Sequence, residues 1–196
     1  MLQSQSSAKR ASIIAVTAAL YTVFFFLSFA IGVPSFTVLY LPIILLGVFP
    51  LWFGWSGLVG SMIGAFIGGV YIEGLPLYLA WVEITTAIVI YGLNWLLISR
   101  QAAEAKTTKG LIILSSIYAL TLFIGTCFIL WQFSVVGLFP AEVAWPLLPG
   151  TFALNLPIVL IACPALIRAV SPKLKSWAMY SGNFADWKSH RSPKPT

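Results

Sequence analysis

The sequence predicts an all-α integral membrane protein of six transmembrane helices, with both termini in the cytoplasm. Composition and the placement of charge predict it. The chain of 196 residues is 60% hydrophobic and only 8% charged, with a mean hydropathy of +0.97. A soluble domain carries roughly 25% charged residues, so no soluble fold of this length could cover such a surface. The 11 bases fall in three clusters. Lys9 and Arg10 form the first, and Arg100, Lys106 and Lys109 the second. Arg168, Lys173, Lys175, Lys188, Arg191 and Lys194 form the third. Bases that flank apolar spans mark the cytoplasmic side.

A helix needs about 20 residues to cross the hydrocarbon core. The first span is 11–31, closed by Gly32, Val33 and Pro34. Its charged start resembles a signal peptide, but the apolar run continues past the 7–15 residues of a signal core, so the helix is retained. The second span is 38–53 and the third 55–71, joined by a very short turn at Gly54. Gly57, Gly60, Gly64 and Gly68 give the third span small residues at about four-residue spacing. Such spacing lets helix backbones approach closely, within the bundle in the first instance and across a dimer in the second. The fourth span is 75–99, the fifth 110–139 and the sixth 147–170, where Pro157 and Pro164 bend the helix.

Parity supports six. Four crossings from an inside N-terminus bring Arg100 to Lys109 back inside, and two more do the same for Arg168. The outer connections 32–37, 72–74 and 140–146 then carry no base and two acids, Glu73 and Glu142. Five crossings would put a basic cluster outside. The chain divides into a cytoplasmic start (1–10), a six-helix membrane domain (11–170) and a basic tail (171–196). The tail interleaves Trp177, Met179, Tyr180 and Trp187 with lysines and is expected at the cytoplasmic interface. The setting is the plasma membrane, and the bases face anionic lipid rather than nucleic acid.

Several chemistries are not expected. The chain has no G-x-x-x-x-G-K-[ST] phosphate loop. Its single histidine, His190, lies in the tail, so no catalytic pair and no metal site form in the membrane domain. Cys127 and Cys163 lack ligand spacing and make no disulfide framework. No cofactor and no enzymatic activity are expected.

The polar residues inside the spans carry the functional expectation. A carboxylate within the bilayer is costly and marks function by default. Glu83 lies roughly 13 Å, Gln132 about 10 Å and Asn155 about 12 Å below the outer ends of their helices, at 1.5 Å per residue. Three helices thus bring polar side chains to one level, which Tyr78, Trp81 and Trp131 share. An apolar pocket with a few convergent polar groups is the usual build of a small-molecule site. Aromatic faces suit a flat heterocycle or a cation. The competing expectation is structural: Gln132 and Asn155 bonding across helices, Trp81 in the bundle and Tyr78 in an interfacial belt.

The first helix carries Ala11, Ala15 and Ala19 in an Ala-x-x-x-Ala series. With six helices, a Gly-rich third span and Asn155 near the outer start of the sixth, this resembles the substrate-binding subunits of energy-coupling factor transporters. The resemblance covers 11–170. It implies that Ala11, Ala15 and Ala19 form a groove against a coupling transmembrane subunit. It implies that the segment 32–39 acts as a lid over a vitamin-like ligand taken from outside. Two ATPase subunits and the coupling subunit would then drive release inside. Thiamine-binding members are similar in having a Glu on helix four, aromatics on helix five and an Asn on helix six, matching Glu83, Trp131 and Asn155. The fifth helix here lacks a histidine and the Trp131–Asn155 spacing is longer, which leaves other heterocyclic vitamins open beside thiamine or a precursor. The family does not need so long a tail, and its deletion is expected to matter little. The alternative is a membrane sensor or scaffold without transport, whose tail recruits a cytosolic partner.

Overall fold

The computed structural model describes residues 7–31 and 39–191, all in helices and their connections. The lid segment expected at 32–39 therefore lies outside the described residues, apart from Leu39. Helix α1 spans Ser7–Ile31 and α2 Pro42–Ile67, which a π-helical turn, Gly68–Ile72, continues. Next come α3 (Trp81–Leu97), the short α4 (Arg100–Glu104) and α5 (Thr108–Val135). The chain closes with α6 (Ala141–Ala144), α7 (Leu148–Ser176) and α8 (Phe184–Arg191). Five helical stretches are long and apolar enough to cross a membrane: Ser7–Ile31, Pro42–Ile72, Leu77–Leu97, Thr108–Val135 and Ala141–Ser176.

The second of these is not straight. Gly54 has φ 51° and ψ −129°, inside an otherwise helical run. A Cβ on Gly57 would stand 3.3 Å from the carbonyl oxygen of Phe49. Eight residues along a continuous helix are roughly 12 Å apart, so the chain doubles back at Gly54. The result is a first arm, 42–53, and an antiparallel second arm that starts at 55. Only glycine adopts such a backbone without strain.

The first arm is apolar all round and buried from Pro42 to Trp52, as expected of a helix at the centre of a bundle. Around it stand α3, α5, α7 and the second arm. Pro50 lacks an N–H, so the carbonyl of Leu46 loses its helical donor. Asn94 Nδ2 on α3 donates to that carbonyl at 3.3 Å. Asn94 Oδ1 in turn accepts from Thr121 Oγ1 of α5 at 2.8 Å. Tyr118 donates to the carbonyl of Gly47 at 3.0 Å. Trp52 Nε1 donates to Ser171 Oγ of α7 at 3.0 Å. Freed carbonyls at membrane depth must be satisfied by neighbours, and these side chains do so.

The second arm lies along α1 with both chains running the same way. A Cβ on Gly64 would stand 2.6 Å from Tyr21 Cβ, and one on Gly68 2.6 Å from the Phe25 ring. Gly60 faces Thr17 and the Ile14 carbonyl in the same manner. The glycine series is therefore spent inside the chain. The opposite side of α1 is open: Ala11, Ala15 and Ala19 are exposed, beside Val16, Leu20 and Val23.

Contacts gather the basic clusters at one end. Lys9 Nζ donates to the carbonyls of Trp177 (3.3 Å) and Ala178 (3.2 Å). Arg168 Nε donates to the carbonyl of Ala105 at 2.7 Å. The tail is docked at this end. Ser181 N and Gly182 N donate to the carbonyls of Trp52 (3.0 Å) and Leu51 (2.9 Å), which end the first arm. Trp95 Nε1 donates to the Gly182 carbonyl at 3.3 Å. The ring centroids of Phe184 and Trp187 each lie 5.4 Å from that of Trp95. Trp177 is exposed, as an interfacial residue would be, but the rest of this aromatic set turns to the bundle.

Candidate ligand site

At the other end, a cavity of about 110 Å³ lies between α1, α3, α5, α7 and the start of α2. Its polar lining is Tyr40, Glu73, Glu83, Thr86, Thr126, Thr151 and Asn155. Phe25, Phe133 and Phe139 are its aromatic walls, with Ile43, Ile90, Leu122 and Leu130.

Glu83 sits in the first turn of α3, where the positive end of the helix dipole favours a carboxylate. It is only 4% exposed. A Cβ on Gly69 would stand 2.9 Å from its Cγ, so the π-helical turn must be glycine there to admit the side chain. Tyr40 closes the network. Its hydroxyl donates to Glu83 Oε2 at 3.4 Å and also bonds the hydroxyl of Tyr21. Its backbone N–H donates to Asn155 Oδ1 at 2.7 Å. Asn155 Nδ2 is held by the carbonyl of Thr151 at 2.8 Å. Asn155 thus fixes Tyr40, and Tyr40 orients Glu83. The Phe25 ring meets Tyr40 edge-on, with centroids 5.8 Å apart.

Glu73 follows the π-helical turn, and a tight return at Gly74 (φ 80°) carries the chain into Leu75, whose N–H donates to the Gly69 carbonyl at 2.8 Å. Glu73 Oε2 is buried and has no hydrogen-bond partner among the described residues. Burial pushes the Glu73 carboxyl up to about 7, because desolvation disfavours the charged form.

Of the six ligand residues expected from sequence, Glu83 and Asn155 line the cavity. Gln132 is buried but stands behind it. Its Oε1 accepts from Thr86 Oγ1 at 2.8 Å and its Nε2 donates to Thr85 Oγ1 at 2.6 Å, fastening α5 to α3. The three aromatics do not reach it: Tyr78 is 77%, Trp81 43% and Trp131 49% exposed. Helical turning explains this. Each residue advances about 100°, so Trp131 cannot share a face with Gln132, nor Trp81 with Glu83. The aromatic walls come instead from Phe25, Phe133 and Phe139. Sequence reasoning does not assign Tyr40 or Glu73 to the site: Tyr40 counts there as part of the span 38–53 but precedes α2 in the structure, and Glu73 lies in a connection, where periodicity gives no facing. The lone signal for Glu73 is that it is one of two acids in base-free outer connections.

Among the described residues, no group of three His, Cys, Asp or Glu side chains could hold a metal ion. The arrangement offers two acidic acceptors over an apolar floor, suited to a small ligand that carries hydrogen-bond donors. No protein-family model, curated protein or solved structure matches the chain.

Proposed function

We propose that the chain is the substrate-capture subunit of an ATP-driven importer of the energy-coupling factor type, binding a vitamin or related small heterocycle from outside. The observation that carries the reading is the cavity at the acidic end, with Glu83 oriented by Tyr40 and Tyr40 fixed by Asn155. An apolar cleft with a few placed polar groups is how small-molecule sites are built. With the two arms of α2 counted separately, the chain makes six crossings. The positive-inside rule then puts the basic end and both termini in the cytoplasm, and the cavity opens toward the outside. The open Ala11–Ala15–Ala19 face of α1 is where a coupling subunit would seat, since none of the described residues covers it. Thiamine or a precursor is one cargo among the heterocycles the site would admit. The sensor or scaffold alternative is less well supported, because Phe184 and Trp187 of the tail are packed on Trp95.

Native mass spectrometry of the detergent-purified chain tests the capture reading. A vitamin-sized heterocycle is expected to remain bound. A protein that is empty and gains no thermal stability across a vitamin panel would shift the assignment to the sensor. For the partner face, Ala15→Trp is expected to abolish co-purification with the coupling and ATPase subunits and to leave ligand binding within about twofold, since α1's inner face is unchanged. Normal assembly and transport by Ala15→Trp would remove α1 as the contact.

A further inference from the structure

Glu73 and Glu83 line one cavity, and the charge around them is unbalanced. No lysine, arginine or histidine is among the described lining residues. The undescribed residues 32–38 read Gly-Val-Pro-Ser-Phe-Thr-Val and hold no ionisable side chain. No base occurs between Arg10 and Arg100 or between Lys109 and Arg168. Those flanking bases belong to the opposite end of the fold.

The titratable groups facing the pair are few. Tyr21 comes from α1 and Tyr40 from the connection before α2, and each is neutral when it donates a hydrogen bond. The walls from α5 and α7 bring Thr126, Thr151 and Asn155, none of which titrates. The protein therefore has no positive charge of its own to set against two carboxylates. A buried carboxylate without a partner must either hold a proton or meet a cation. Among the described residues, Glu73 Oε2 has no partner.

The geometry points to a proton-for-cation exchange site, in which an organic cation with N–H donors binds between Glu73 and Glu83 and releases the proton held by the empty pair. This rests on the capture reading and specifies the chemistry of its cargo. One cation enters, one proton leaves to solvent, and the net charge of the cavity is unchanged. The two carboxylates hold that proton jointly, Glu83 as the more deeply buried of the two, with Oε2 accepting from Tyr40. Phe25, Phe133 and Phe139 cover the flat body of the ligand.

Benzamidine is a suitable probe, because it stays cationic across the range and has benzamide as a neutral isostere. Isothermal titration of the full-length protein in nanodiscs, in phosphate and in Tris, counts the protons released. Benzamidine is expected to bind and benzamide not. Its dissociation constant should tighten as pH rises, by up to about tenfold per unit while the pair still holds its proton, and level off once the pair has lost it. About one proton should leave per cation bound over the sloping range. Replacing either carboxylate, Glu73→Gln or Glu83→Gln, should weaken cation binding and move the pH slope to lower pH, because the remaining carboxyl no longer faces a second one. Equal binding of benzamide, binding without proton release, or no binding of benzamidine at any pH overturns the exchange. A neutral or anionic molecule found by native mass spectrometry would also overturn it and yet leave the capture reading standing.

Discussion

A chain ended at Ser176 unfolds on the order of 10 °C below the full-length protein. The loss has three sources. The carbonyls of Leu51 and Trp52 end the first arm of α2 and accept from Gly182 N and Ser181 N. Without the tail they are orphaned beside the Gly54 reversal, at roughly 1–3 kcal/mol for each group that water cannot reach. The indole of Trp95 loses its acceptor, the Gly182 carbonyl. Phe184 and Trp187 leave the Trp95 face, and an aromatic side chain of that size contributes about 1.5–3 kcal/mol when fully buried. Both are only partly buried here, so the lower figure applies. The sum is on the order of 5 kcal/mol, and in a chain of this length about 1 kcal/mol moves the midpoint by roughly 2–4 °C. Differential scanning fluorimetry of the truncated and full-length proteins in one detergent measures it. A midpoint unchanged by truncation would mean that the tail rests on the bundle without supporting it. Trp187→Ala isolates the aromatic part and is expected to give a smaller fall.

On the capture reading, Glu83→Gln is expected to reduce ligand affinity by roughly 30-fold to 4,000-fold, while the fold survives. Removing one partner of a buried, hydrogen-bonded charge pair costs about 2–5 kcal/mol, and each 1.4 kcal/mol is about tenfold in the constant. Stability moves the other way or not at all. Glutamine has the shape of glutamate, and it removes a carboxylate that the fold must hold away from water. The Tyr40 hydroxyl keeps an acceptor in the amide oxygen. Binding of the co-purifying molecule, measured beside the melting curve, separates the two effects. Unaltered affinity would place the ligand elsewhere; a collapsed melting curve would make Glu83 a structural residue.

Some of this is legible from the residues alone, and the boundary is physical. The depth of a side chain follows from the rise per residue, so counting along each helix sets Glu83 and Asn155 at one level. Facing depends on the start of each helix to within a residue. Trp131 and Gln132 are neighbours in sequence and point to different surroundings. The break at Gly54 is legible as a turn between two apolar runs. That the first arm is enclosed by protein is not, because an apolar helix reads alike whether lipid or other helices surround it. Pro50 announces a freed carbonyl, yet nothing in the sequence says that Asn94, 44 positions on, would answer it. The tail shows the same limit. Its aromatics among lysines fit a membrane surface, and the structure turns Phe184 and Trp187 to Trp95. That contact bears on the stability of the tail-less chain, not on the expectation that deletion matters little to capture.

The enclosure of the first arm also bears on how the chain is built in the membrane. Residues 42–53 reach roughly 18 Å as a helix, against a hydrocarbon core of about 30 Å. Such a segment is too short to anchor itself when it leaves the ribosome. It also has no side that rests against lipid in the finished protein. The neighbours that answer its carbonyls include Asn94, Tyr118, Ser181 and Gly182, and all of these are synthesised later. The segment made second is thus among the last to acquire its final surroundings, and its settling waits on the end of translation.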